Sequence, residues 1–413
     1  MKGNYAGWVR AGGALAWWPW VALLVVVLMT GTGAPANAAE PLKIGLPIPL
    51  SGVFSDSGGR MVKGFEMARE EINAAGGIAG RPIEYVIRDD EGKVNVGSAE
   101  LRKLVLSDKV QVMMGFFSSG MTLANLDYLA GNKILTLVTV AGTPKITDRI
   151  KADPKKYRYI FAVRQHAYQA ANMVKPAISG AFFPVKRVYV VAEDIEFGHT
   201  LIDGILQLGV ITKEQIVGSS YVSMNQKDFT AVIEDIKAKD PDIVVTAQIG
   251  GDAVPFAMQF YDAKLRMPLQ AFAGILGRPP IADRMSPKSG YIIFGQTSAD
   301  VPITPKTKPW YKKYEEKYGI PADGYLDVRA YDAVYMFKAA VEQVGSLDIE
   351  KVIPALEKLK WEGVGGAYHF DESHQVNWPI TVVFQHGPDG KSRHVIWPKE
   401  HATGPFVRAP WWK

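Results

Sequence analysis

The stretch EEINAAGGIAGRPIEYVIRDDEG, residues 70–92, has the pattern of a transition from a helix to a β-strand. Gly76 and Gly77 follow the amphipathic segment 61–72, and glycine readily adopts the left-handed conformation that ends a helix. Pro82 then precedes the apolar run IEYVIR, which is typical of a strand. A phosphate-binding glycine loop has the opposite order, because it leaves a strand and opens a helix. We therefore predict that these glycines turn the chain and do not bind a nucleotide.

Short apolar runs of this kind recur along the chain between longer amphipathic segments. They are LKIGLPI (42–48), IEYVIR (83–88), VQVMMG (110–115), ILTLVTV (134–140), RVYVVA (187–192), IVVTA (243–247) and YIIFG (291–295). Continuous apolar strands that alternate with helices predict an α/β fold with parallel sheets covered on both faces. The alternation runs twice, with the stretch YRYIFAVRQHAY (157–168) between the two series, so we expect two similar lobes joined near residue 163.

The first 38 residues differ from the rest of the chain. Lys2 and Arg10 precede an apolar run at 14–29, and Ala36-Asn37-Ala38 follows it as an A-x-A cleavage pattern. This order is typical of a cleaved secretory signal peptide. An uncleaved membrane anchor is the alternative, because the apolar run is almost long enough to span a bilayer.

Net charge and cysteine content limit the kinds of function that the chain can have. Cleavage of residues 1–38 would remove two positive charges and lower the formal net charge from +5 to +3. That charge, without a dense basic cluster, gives no indication of a nucleic-acid partner. The chain has no cysteine, so it offers neither a disulfide framework nor a lipid-anchoring thiol. We expect a freely diffusing periplasmic protein, and we expect it to be a monomer.

Six motifs resemble, in order, those of the leucine/isoleucine/valine-type periplasmic solute-binding proteins of ABC importers. They are LKIGLPIPLSG, GFEMAREEINAAGGIAGRPIEYVIRDDEG, GFFSSGMTLA, ILTLVTVAGTPKIT, VVAEDIEFGHTLIDG and VRAYDAVYMFKAAVEQVGSLD. The resemblance implies a type I binding-protein fold, in which two doubly wound parallel-sheet lobes are joined by a three-strand hinge. It implies that lobe 1 comprises residues 40–163 and 297–365, lobe 2 comprises 164–296 and 366–398, and 399–413 form a C-terminal tail.

The resemblance also implies a function and partners. A small ligand that bears a carboxylate, an amino acid or an aromatic or aliphatic acid, would bind between the lobes and be delivered to a membrane permease driven by an ATPase. A ligand-sensing regulatory protein with the same fold is the alternative. We find no sequence motif of an enzyme, a cofactor site or a cysteine nucleophile. The cluster His369, Asp371, Glu372 and His374 is more typical of a solvated turn than of a metal site.

Candidate ligand-binding residues follow the strands of the first series. Ligands of open α/β sheets bind outside the carboxyl ends of strands, where helix N-termini present N–H donors to an anion. By resemblance, the ligand carboxylate would be held by the Ser118 or Ser119 hydroxyl and by the backbone of Val140, Ala141, Gly142 and Thr143. A purely structural role for the serines, as helix caps, stays open.

Candidates in the second series would close over the ligand. By resemblance, Phe197 would cover it with an aromatic ring, and Tyr168 and Gln248 would face the cleft, although core packing is an alternative for each. Arg164 would add positive charge, unless it is simply an exposed arginine at the lobe boundary.

Amino-acid binders of this family place an acidic side chain in lobe 2 against the ligand's ammonium. The corresponding stretch AFAGILGR (271–278) has no carboxylate, and neither does AYQAA (167–171). Since an unpaired buried ammonium costs several kcal/mol, this absence favours a carboxylate without an amine. Glu193 or Asp194 could instead serve an amino acid, so both ligand classes stay open.

Overall fold

The chain forms two large β-sheets with helices on both faces. The structure, a computed structural model, describes residues 39–207, 209–272, 274–377 and 380–413, except for the side chain of Tyr168. The strands are β1 Leu42–Ile48, β2 Ile83–Asp89, β3 Val112–Gly115, β4 Leu135–Val138, β5 Ile160–Ala162, β6 Val188–Glu193, β7 Ile216–Val222, β8 Ile243–Ala247, β9 Leu269–Ala271, β10 Ile293–Gln296, β11 Lys360–Glu362, β12 Ala367–His369, β13 Val382–His386 and β14 Arg393–Trp397.

The helices lie mainly between consecutive strands. They are α1 Ser55–Ala74, α2 Val94–Leu106, α3 Ser119–Gly131, α4 Lys145–Ala152, α5 Ala167–Ala170, α6 Lys175–Ile178, α7 Glu196–Gln207, α8 Thr230–Lys239, α9 Ala253–Asp262, α10 Pro279–Met285, α11 Thr307–Tyr318, α12 Leu326–Val344 and α13 Ile349–Glu357. The predicted α/β class is confirmed.

The two sheets correspond to the two series of strands. The first has the order β2-β1-β3-β4-β5 and is parallel throughout. The second has the order β14-β13-β10-β9-β8-β6-β7, and its strands are parallel except that β13 runs antiparallel to both of its neighbours. Each predicted apolar run forms one of these strands, because buried strands of parallel sheets carry apolar side chains on both faces.

The glycines at 76 and 77 end the first helix, as the sequence predicts. α1 ends at Ala74, both glycines have positive φ, and the Gly77 N–H donates to the Ile72 carbonyl. The Asn73 side chain then fastens the next strand, since its Oδ1 accepts from the Ile83 N–H at 2.7 Å and its Nδ2 donates to the Ile83 carbonyl at 3.0 Å. The stretch is a turn between a helix and a strand.

The chain passes between the sheets three times. It leaves the first sheet after β5, and after β10 it returns to place α12 and α13 on the first sheet's core. Tyr368, Phe370 and Val376 also pack in this core, and the Tyr368 hydroxyl donates to Asp332 of α12. The third crossing therefore comes after Val376, about ten residues beyond the lobe boundary expected at 365.

The C-terminal segment 399–413 packs against the second sheet. Gln385 of β13 donates from Nε2 to the Val407 carbonyl at 2.8 Å and accepts from the Val407 N–H at 2.7 Å. The Trp411 ring meets the edges of Tyr261 and Tyr291. None of the described helices combines the length and the apolar composition that a membrane-spanning segment requires. The predicted signal peptide, residues 1–38, lies outside the described residues.

The close contact between α1 and α12 allows a test of how the helices pack on the first sheet. A Cβ added at Gly64 would lie 2.2 Å from the Asp327 carbonyl oxygen, whereas a Cβ at Gly59 of the same helix meets nothing within 4 Å. We expect Gly64→Ala to lower the free energy of unfolding by about 1–3 kcal/mol through overpacking. Gly59→Ala should leave it unchanged or raise it by up to about 1 kcal/mol through helix propensity. Urea denaturation of both variants measures this difference, and equal stabilities would contradict the packing.

Candidate functional site: a cavity between the two sheets

A cavity that is open to solvent at its mouth lies between the two sheets. Every strand that contributes to its wall does so from the segment that follows its carboxyl end, which is where parallel sheets bind ligands. The first sheet and its helices contribute Phe54, Ser57, Gly92, Phe117, Ser118, Ser119, Gly120, Val140, Gly142, Tyr325 and Leu326; the second contributes Ile195, Glu196, Phe197, Met224, Ile249, Phe272, Gly274 and Arg278.

The N-terminus of α3 forms the first polar feature of the wall. Ser118 Oγ accepts from the Met121 N–H at 3.3 Å, and Ser119 Oγ accepts from the Thr143 N–H at the same distance. The amides of Ser119 and Gly120 have no acceptor within the helix, since the first N–H groups of any helix lack one. Ser118 is therefore a helix cap that also lines the cavity, and these amides add donors and positive dipole there.

Arg278 forms the second polar feature. It precedes α10, its side chain is 4 % exposed, and its guanidinium pairs with Asp56 of α1. Nη2 donates to Ser57 Oγ at 3.0 Å, and Nε lies 3.5 Å from Asp323 Oδ2. All three partners belong to the first sheet's side of the cavity, so this arginine joins the two walls.

Glu196 supplies the only carboxylate among the described lining residues. Its Oε1 accepts from Thr143 Oγ1 at 3.0 Å and lies 2.9 Å from Lys145 Nζ. Both partners lie beyond β4, on the opposite wall. The carboxylate is thus already engaged with a cation, and it also offsets the dipole of α7, whose first residue it is.

Five aromatic and five aliphatic side chains line the rest of the described wall. Phe54 and Phe117 pack with ring centroids 4.7 Å apart, and Phe197 and Phe272 pack at 5.7 Å on the opposite side. A Cβ added at Gly142 would lie 2.7 Å from Phe197 Cε2, so the absence of a side chain at residue 142 lets the walls approach closely. Aromatic rings of this kind offer flat apolar surfaces on which a planar group can stack.

Five of the candidates from the sequence line this cavity: Ser118, Ser119, Val140, Gly142 and Phe197. Ala141 and Thr143 are fully buried and do not line it. The Ala141 N–H donates to the Phe116 carbonyl, and the Thr143 side chain donates to Glu196, so the structure gives both groups protein partners.

The positions of Arg164 and Gln248 differ more from those that the sequence predicts. Arg164 is fully buried instead of exposed, and it lies behind the wall, where Nη1 donates to Gln375 Oε1 at 2.6 Å and Nη2 to the Thr143 carbonyl at 3.1 Å. Gln248 is buried as well and donates to Asp252 Oδ2 at 2.6 Å. The side chain of Tyr168 lies outside the described residues.

Neither alternative ammonium partner from the sequence faces the cavity. Asp194 is exposed and lies 2.8 Å from His199 Nε2. Glu193 is fully buried beneath the second wall, where Oε1 accepts from the Ile249 N–H at 3.0 Å and the Gly250 N–H at 2.7 Å. Burial and the neighbouring Asp252 raise the pKa of Glu193 well above its usual range, so this carboxyl group retains its proton.

A model of the periplasmic binding protein family matches residues 41–386. The chain belongs to this family. A curated relative, Leu/Ile/Val-binding protein homolog 7 of Brucella abortus (strain 2308), is 27 % identical over 390 residues that cover 90 % of this chain and 94 % of the relative.

Solved structures of solute-binding proteins have the same fold. An ABC transporter solute-binding protein from R. palustris in complex with benzoate has a TM-score of 0.75 and 21 % identity, covering 90 % of this chain and 99 % of that one. The substrate-binding protein LivJ from Streptococcus pneumoniae in complex with isoleucine has a TM-score of 0.74 and 20 % identity, covering 87 % and 100 %. The family prediction and the expected type I architecture are confirmed.

The sequence analysis of this periplasmic binding protein missed several residues that line the cavity. Arg278 ends the stretch 271–278, and a lone charge after a buried strand is a usable sequence signal for it. Glu196, which adjoins Phe197 after another buried strand, carries the same signal. Phe54 and Tyr325 carried no sequence signal, since the tertiary fold alone brings them to the cavity.

The protonated Glu193 predicts how stability depends on pH. The unfolded chain releases this proton above the usual glutamate pKa, about 4.5, while the folded chain keeps it, so folding becomes less favourable as pH rises. Glu193→Gln keeps an oxygen acceptor for both amides and removes the titration. We expect its melting temperature to fall less between pH 5 and pH 9 than that of the wild type. Glu234→Gln, at an exposed position of α8, is the control, and parallel curves for all three proteins would refute the shift.

Proposed function

We propose that this protein is the solute-binding component of an ABC importer and that it captures an apolar, preferably aromatic, carboxylate that lacks an ammonium group. The observation that carries the proposal is the distribution of charge around the cavity. The wall presents one buried guanidinium and the N-terminus of α3, while its single described carboxylate is paired across the cavity with Lys145.

The positive groups favour an anionic ligand. Free amides at a helix N-terminus bind carboxylates through hydrogen bonds and the helix dipole. Arg278 adds a cation within the same wall. It already interacts with Asp56, which is half exposed, and with the buried Asp323 at 3.5 Å, so a ligand carboxylate would share the guanidinium with these two partners. A carboxylate bound between α3 and Arg278 would contact both walls and would therefore favour the closed arrangement.

The same groups oppose an ammonium. A zwitterionic amino acid would bring its positive charge into a wall that already contains Arg278, and Glu196 would have to exchange Lys145 for the ligand. Burying an ammonium without a carboxylate partner costs several kcal/mol. Glu193 cannot compensate in its present position, because its carboxyl group is protonated and lies beneath the wall.

The apolar walls and two relatives of known structure support an aromatic acid. Phe54, Phe117, Phe197 and Phe272 provide flat surfaces on both sides. The R. palustris protein with benzoate has this fold, and so does a second R. palustris protein solved with 4-hydroxybenzoate. Since a relative with isoleucine also has the fold, the architecture alone does not select the ligand, and the proposal depends on the lining residues.

Transport would proceed by capture, closure and delivery. A signal in residues 1–38 would export the chain, and the mature protein would bind solute in the periplasm. The ligand, together with the Arg278–Asp56 and Glu196–Lys145 contacts, would stabilise the closed form that a permease with its ATPase recognises.

Replacement of Arg278 tests the anion site. We expect Arg278→Gln to weaken benzoate binding by at least about tenfold, because one partner of a buried charged group is removed. Arg284→Gln, which changes an exposed arginine in the adjoining helix α10, should bind as the wild type does. Isothermal titration calorimetry of residues 39–413 with benzoate gives the three dissociation constants.

Two outcomes would count against the proposal. If the wild type does not bind benzoate or any related apolar acid, the ligand class is wrong. If it binds benzoate and Arg278→Gln binds equally well, the guanidinium has no part in recognition.

A further inference from the structure

Arg164 is a buried cation that lies behind the cavity wall and does not line the cavity. It follows β5 at the first crossing between the sheets, and its side chain has no contact with solvent. Among the described residues, no carboxylate lies within salt-bridge distance of its guanidinium, and its Nε has no hydrogen-bond acceptor. A buried charge is normally paired, so an arginine without an acidic partner needs an explanation.

Its neighbours connect it to the anion site. Nη2 donates to the carbonyl of Thr143, and the Thr143 N–H donates to Ser119 Oγ in the cavity wall. Nη1 donates to Gln375, which lies at the third crossing. Arg164 therefore holds the segment after β4 in place directly behind the N-terminus of α3.

A second buried arginine, Arg329, lies close enough to repel the charge of Arg164. The guanidinium carbon of Arg329 lies 4.0 Å from the centroid of the Tyr325 ring, and Tyr325 lines the cavity. Burial, with a smaller contribution from repulsion by Arg329, lowers the pKa of Arg164 to about 9, so Arg164 is charged at neutral pH. His166 stays neutral there, because burial first and Arg164 second lower its pKa to about 4.

We propose that Arg164 is a positioning and specificity-determining residue that acts on the ligand from behind the wall. Arg164 fixes the position of the Thr143 carbonyl and, through the Thr143 N–H, that of the Ser119 hydroxyl. The bound ligand carboxylate would be the mobile anion nearest to its charge. The inference rests on the proposed function, since it requires an anionic ligand in the cavity. It predicts that Arg164 discriminates between an acid and its neutral amide without touching either.

The test compares benzoate with benzamide, which have the same shape and differ in charge. A unit charge about 10 Å from an anion, at an effective dielectric constant of about 20, changes a binding constant on the order of tenfold. We expect Arg164→Gln to lower the affinity ratio of benzoate to benzamide by about this factor, while Arg164→Lys keeps most of the ratio at pH 6. If Arg164→Gln weakens both compounds equally, the residue is only structural.

A pH series on Arg164→Lys gives a second measurement within one folded protein. A lysine buried at this position loses its proton at a lower pH than an exposed one, whereas the arginine stays charged to higher pH. Between pH 6 and pH 9 the benzoate affinity of Arg164→Lys should therefore fall more than that of the wild type, with benzamide affinity unchanged in both. Parallel benzoate curves would overturn the inference even if Arg164→Gln does not fold.

These outcomes separate the two proposals. A wild-type protein that binds neither compound refutes the proposed ligand class, and the role of Arg164 falls with it. A wild-type protein that prefers benzoate, together with variants that keep the same preference, refutes the role of Arg164 alone.

Discussion

An unpaired charge inside a protein costs several kcal/mol, and this constraint governs the centre of the molecule. Arg278 is buried between the two walls and takes its partners from the opposite side. Glu196 does the same with Lys145. Each wall therefore completes the charge balance of the other, and these groups are satisfied in the arrangement that the structure shows.

The same constraint bears on the ligand class that we propose for the cavity. In the proposal, a ligand carboxylate would accept from the amides of α3 and share Arg278 with Asp56 and Asp323, whereas an ammonium would need an acceptor that Glu196 offers only by leaving Lys145. Glu193 illustrates the difference, because burial beside Asp252 keeps it protonated and its oxygen satisfies two backbone amides. Glu193 is thus close in sequence to residues that line the cavity, but its carboxyl group is not placed to bind an ammonium there.

Much of the fold could be predicted from the sequence, because its signals are local. Continuous apolar runs identified the strands, and the glycines at 76 and 77 identified the end of α1. The cavity wall after β3 and β4 followed from the rule that ligands bind at the carboxyl ends of parallel strands. The environment of Arg164 could not be predicted, because its partner Gln375 lies 211 residues away and only the third crossing brings it close. The lobe boundary was displaced for a similar reason, since Tyr368 and Val376 are drawn into the first core by contacts with distant helices.

The central claim is that the cavity selects a carboxylate and rejects an ammonium. Leucine and 4-methylpentanoate test it most directly, because they share the same carbon skeleton and carboxylate and differ only in the α-ammonium group. Calorimetric titration of residues 39–413 should give a lower dissociation constant for 4-methylpentanoate than for leucine. Tighter binding of leucine would contradict the account and would require Glu196 to release Lys145 and take the ligand's ammonium instead.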